Sequence, residues 1–76
     1  MDLHNLIVMA NRIGAFFEAQ PDRTEAMAGI AEHVRKFWEP RMRTEILASL
    51  DTDAGAGLSE IVRAALLAHR ASLQPS

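Results

Sequence analysis

Apolar residues recur at helical spacing along nearly the whole chain, and Pro21, Pro40 and the segment Asp51–Gly57 cut that pattern into four pieces. No piece alternates strictly between apolar and polar positions, as a half-buried strand does. The first helix is expected over about 3–19. Asp2 is placed to cap it, and Leu3, Leu6, Ile7, Ala10, Ile13, Gly14 and Phe17 form one apolar stripe, with Met9 and Phe16 at its edge. Pro21 ends it, because the residue before a proline is pushed out of the helical region. A second helix, over about 23–38, carries Met27, Ile30, Ala31, Val34, Phe37 and Trp38 inward and Glu32, Arg35, Lys36 and Glu39 outward.

Pro40 interrupts that run and suits the first turn of a third, short helix over about 41–50, whose apolar side is Met42, Ile46, Leu47 and Leu50. Asp51–Gly57 reads as a loop. A fourth helix, over about 59–73, presents Leu58, Ile61, Val62, Ala65, Leu66 and Leu73 on one stripe. The expected fold is all-α: a single domain over 1–76 made of three longer helices and one short one. Phe17, Val34, Phe37 and Trp38 are its expected structural core. Met9 and Phe16 are the expected exposed apolar patch.

Length changes the picture first. A chain of 76 residues buries a small share of its surface, so its core is marginal and a partner is the natural supplement. There is no cysteine, which excludes disulfides and thiolate metal sites and makes a cytoplasmic setting the expectation. Eight Lys plus Arg stand against ten Asp plus Glu, without the basic excess that nucleic acid or an anionic membrane favours. The run Leu6–Ala10 is too short for a signal segment, and no stretch approaches a membrane span, so a soluble, unprocessed chain is expected.

Candidate chemistry is sparse. No two of His4, His33 and His69 share the spacing that sets two imidazoles on one helical face, so no metal site is expected; His69 is expected as a buried ring with one hydrogen bond. None of Ser49, Ser59, Ser72 and Ser76 sits in a nucleophile elbow, and Ser59 reads as a helix cap. Gly55-Ala56-Gly57 lacks the Lys-Ser or Lys-Thr of a phosphate loop. Arg35, Lys36, Arg41 and Arg43 form a basic cluster, but Glu32, Glu39 and Glu45 interleave with it, as in ordinary solvated ion pairs. The segment Phe37–Arg43 holds the only Trp, a proline and two arginines. It reads as core at Phe37 and Trp38 and as a docking corner at Arg41 and Arg43, since Trp and Arg are enriched at interface hot spots. On the helical wheel Arg43 points with Ile46, Leu47 and Leu50, so its guanidinium must reach a carboxylate, carbonyls or solvent.

Two blocks carry a family resemblance. Met9-Ala10-Asn11-Arg12-Ile13 followed by Phe16-Phe17, and the run from Ile30 to Arg43 with His33, Phe37-Trp38, Pro40 and Met42-Arg43, resemble the delta subunits of NAD-dependent, molybdenum-containing formate dehydrogenases. The spacing of the blocks about Pro21 is similar to the family's, and the last third is generic. Arg12 stands where the family pattern leads one to expect Gln, a difference at a surface position. The resemblance implies a complex that oxidises formate and passes electrons to NAD. Its large subunit carries a molybdenum or tungsten pterin and iron–sulfur clusters, and other subunits carry flavin. It implies no cofactor in this chain and a role in assembly or stability. The expectation is therefore a non-catalytic accessory subunit docking on the large catalytic subunit through Met9, Phe16, Arg41 and Arg43. No nucleic acid or membrane partner is expected, and the chain should be marginal or self-associated when isolated. The alternative is a free-standing helical adaptor or a small nucleic-acid-binding module.

Overall fold

A computed structural model describes residues 2–75, and the elements run α1 (Leu3–Phe17), α2 (Arg23–Phe37), α3 (Pro40–Ser49), a 3-10 turn (Asp53–Gly57), α4 (Glu60–Ala68) and α5 (Arg70–Leu73), with no strand among the described residues. Local chemistry sets the helix starts. Asp2 accepts from the backbone N–H of His4 at 3.2 Å and Asp22 from that of Glu25 at 3.2 Å, which satisfies donors that a helix start leaves free. Pro40 opens α3, where its missing N–H costs nothing.

The ends depart from the periodicity. α1 stops at Phe17, short of residue 19, and the chain tightens into a turn with the Gln20 N–H on the Phe17 carbonyl at 3.0 Å, one residue before Pro21. The expected fourth helix is two pieces. His69 leaves helical geometry (φ −110°, ψ 18°), and α5 starts at Arg70. This turn buries Leu73 completely and brings Arg70 onto Asp51 beyond α3, at 2.5 Å. These contacts offset the interrupted ladder. The bundle therefore has two long helices of 15 residues each, two shorter ones of 10 and 9, and a terminal turn of 4, in place of three longer helices and one short one.

One apolar cluster joins all the helices, with Ile30, Val62, Ala65, Leu66 and Leu73 fully enclosed. α4 packs most extensively on α2, and α1 lies on both. α1 and α2 run antiparallel, since Phe17 lies against Gly29 while Ile13 and His33 line one groove. The glycine at 29 permits that approach, because a Cβ there would stand 2.5 Å from the Phe17 ring. Val34 and Trp38 lie in the cluster, and Phe17 packs against its edge. Phe37 does not join them: it is 71 % exposed, while Trp38 is 5 % exposed. The buried row of α2 is Ala26, Ile30, Val34 and then Trp38, whose extended backbone (φ −90°, ψ 135°) ends the helix. Phe37 belongs to the neighbouring row Gly29–His33–Phe37, which borders α1 instead of the core.

Candidate docking surface

The solvent side of α1 is unusual for a surface helix. Its exposed positions are His4, Asn5, Met9, Arg12, Ala15 and Phe16, so one guanidinium is the only full charge along 15 residues. Half of these positions are apolar, and an exposed apolar patch on a small helix bundle marks a contact surface. Phe16 is 74 % exposed and Met9 40 % exposed. The Phe16 ring meets Phe17 edge-on at 5.1 Å between centroids, a favoured aromatic geometry. Arg12, Ile13, Phe16, Phe17 and His33 line a shallow, largely apolar groove between α1 and α2. His33 continues the surface to Phe37, with ring centroids 4.9 Å apart. Phe16, the groove, His33 and Phe37 thus form one strip along the α1–α2 hairpin.

Some of the charges elsewhere are matched in ion pairs. Glu32 takes Arg35 at 2.8 Å and Lys36 at 3.4 Å, and hydrogen bonds from these two cations hold its carboxyl below the usual range. Arg23 bonds Glu60 at 2.5 Å across the starts of α2 and α4, which raises the guanidinium above its ordinary value. Hydrogen bonds from Arg70 lower the Asp51 carboxyl. The basic cluster expected from sequence is thereby split. Arg35 and Lys36 are neutralised in place, whereas Arg41 is exposed and forms no ion pair among the described residues. Arg43 is half-buried, and its Nε is enclosed with no acceptor. Arg12 also lacks an ion pair among the described residues.

The model of the family NADH-dependent formate dehydrogenase delta subunit, FdsD, matches residues 5–66. The chain belongs to this family. No curated protein and no solved structure matches the chain. The matched span of this delta-subunit chain includes both aromatic rows of the strip, Arg12, and the corner from Trp38 to Arg43, and it stops before α5.

The other candidate side chains for chemistry lie apart from one another. His4 is exposed. His69 is half-buried at the break before α5; its ring makes no hydrogen bond among the described residues, and only its carbonyl is engaged, by the Ser72 hydroxyl at 3.0 Å. This differs from the buried, bonded ring expected for it, because the helix breaks there. No group of three His, Asp or Glu among the described residues is arranged to hold a metal ion, and no helix is long and apolar enough to cross a membrane. Ser49 is buried with its hydroxyl on the Ile46 carbonyl at 2.6 Å. Ser59 occupies the N-cap of α4, yet its hydroxyl makes no cap bond and is enclosed without a partner.

Asn11 does the bonding at that junction. Its Nδ2 donates to the Gly57 carbonyl at 3.0 Å, and its Oδ1 accepts the Ser59 N–H at 2.8 Å. One carboxamide in α1 thus clasps the exit of the 3-10 turn and the entry to α4. Sequence reasoning passed over Asn11 because its partners lie 46 and 48 residues away and no local pattern announces them.

Proposed function

We propose that this chain is a non-catalytic accessory subunit of a cytoplasmic NAD-dependent formate dehydrogenase. It docks on the large catalytic subunit and supports the assembly or stability of the complex. The observation that carries the reading is the outer face of α1, with Phe16 and Met9 exposed and a single charge along its length. An apolar face of this kind on so small a bundle is a contact surface waiting for a partner, since a short chain has little core of its own. Family membership supplies the complex to which such a partner belongs. The pterin, iron–sulfur and flavin centres then belong to the partner subunits, and this chain holds none of them. A nucleic-acid module is disfavoured by the pairing of Arg35 and Lys36 with Glu32.

Arg41 and Arg43 extend the contact. A cation in the first turn after Pro40 faces the positive end of the helix dipole, so local helix physics gives no reason for either residue. A partner carboxylate does, because a guanidinium forks onto it with good geometry. The test is co-expression of the tagged chain with the large subunit. Parent protein should co-purify with it, and omission of this chain should lower the yield or melting temperature of the complex. Arg41→Ala with Arg43→Ala should weaken association by about 2–5 kcal/mol if the pairs are desolvated. Equal recovery of intact, equally stable complex without this chain would defeat the accessory role.

A further inference from the structure

We infer that the outer face of α1, together with His33 and Phe37 of α2, is covered by an apolar segment of the large catalytic subunit that places a carboxylate opposite Arg12. This rests on the accessory-subunit reading and adds to it the α2 residues that share the face and the chemistry of the occupant. Charge complementarity selects that occupant. Of the cations around the strip, Arg35 and Lys36 already hold Glu32, and Arg23 holds Glu60. Arg12 alone lines the groove as a full charge, beside His33 and three apolar side chains, and no acid lines it. Covering the strip removes water from that guanidinium, which needs a charged acceptor once desolvated. α1 contains no Asp or Glu that could serve.

The same fact disfavours a second copy of this chain. A two-fold axis that crosses α1 sets two copies of the helix antiparallel. Within Leu3–Phe17 such a copy brings a second Arg12 and no carboxylate, since the acids Asp2 and Glu18 only flank the helix. A lipid surface is a poorer match as well, because helices that lie on membranes carry several basic residues on the polar face and this one carries a single Arg.

The experiment uses the co-expressed complex. Benzoyl-phenylalanine replaces Phe16, or Ala71 as an exposed control on α5, and the cross-linked peptides are identified by mass after illumination. In parallel, Arg12→Glu, Arg12→Lys and the pair Phe16→Ser with Phe37→Ser are compared for affinity, each checked by circular dichroism for parental folding. Position 16 should cross-link to the catalytic subunit, near an acidic residue, and position 71 should not. The double serine variant should bind at least about 30-fold more weakly, as for loss of an aromatic hot spot. Arg12→Glu should lose about tenfold or more, and Arg12→Lys should keep most of the affinity. Cross-linking of position 16 to a second copy or to another subunit overturns the inference, as does full affinity of Arg12→Glu. If the parent chain co-purifies but position 16 finds no partner, the face is wrong and the accessory reading stands. If the parent chain does not co-purify with the catalytic subunit, both fail.

Discussion

Replacing Asn11 by alanine tests how the two halves of the bundle are held together. The carboxamide makes two hydrogen bonds to backbone that is far away in sequence, at 3.0 Å to the Gly57 carbonyl and 2.8 Å from the Ser59 N–H. A typical net contribution is about 0.5–1.5 kcal/mol per bond. The half-buried Ser59 N–H has no hydroxyl of its own placed to replace the lost acceptor, which adds part of a desolvation penalty. The expected loss is therefore about 2 kcal/mol, a large share of the stability of a small domain. For a domain of this size that corresponds to a fall of about 8–16 °C in melting temperature, read by far-ultraviolet circular dichroism. Asn11→Asp separates the two bonds. It keeps the acceptor for Ser59 but sets a carboxylate against the Gly57 carbonyl, so it should melt below the parent at neutral pH. A protonated acid at this position can donate to that carbonyl, so part of the loss should return as the pH falls to about 4. An Asn11→Ala melt within about 3 °C of the parent would show that solvent serves both backbone groups equally well and that the clasp contributes nothing.

Trp38→Ala should cost about 3–5 kcal/mol, since the ring is 5 % exposed, while Phe37→Ala should change the melt of the isolated chain by less than about 0.5 kcal/mol; a reversal of that order in paired thermal melts would contradict the assignment of the two rings. Gly14→Ala should destabilise by about 1–2 kcal/mol, because the new methyl would collide with the fully buried, stiff Val62 and outweigh the gain in helix propensity. Gly29→Ala sets a methyl against the half-buried Phe17 ring, so that ring must move, and the variant should lose about 1 kcal/mol in urea titrations despite its better helix propensity. Asp51 has a folded pKa below its unfolded value because Arg70 donates to it, so its contribution is present at neutral pH and is lost as pH falls through the lowered value. Melts of the parent and Asp51→Asn should accordingly differ at pH 7 and converge near pH 2; a constant gap across that range would show that the pair does not carry the difference.

Where each of the first three helices begins was decided by the sequence, through residues that act over one turn. Asp2 and Asp22 cap by reaching N–H groups two and three residues on, and Pro40 opens α3 through its own ring. The exposed pair Met9 and Phe16 was legible for the same reason: both lie at the edge of the α1 stripe, and that edge follows from helical spacing alone. Residues at the border of the α2 stripe were another matter. Phe37 and Trp38 are adjacent and both large, and spacing admits either to the core; in the folded bundle Trp38 follows Ala26, Ile30 and Val34 inward and Phe37 is left exposed beside His33. The break at His69 has no glycine or proline to announce it, and only the burial of Leu73 and the bond from Arg70 to Asp51 account for it. Asn11 and its two backbone partners, and the groove in which Arg12 lies without an acid, exist only once α1 is laid against α2 and the 3-10 turn. Capping and periodicity are local and can be read along one chain segment, whereas the choice between two border residues, or the partner of a carboxamide, depends on surfaces that come together only in the folded bundle.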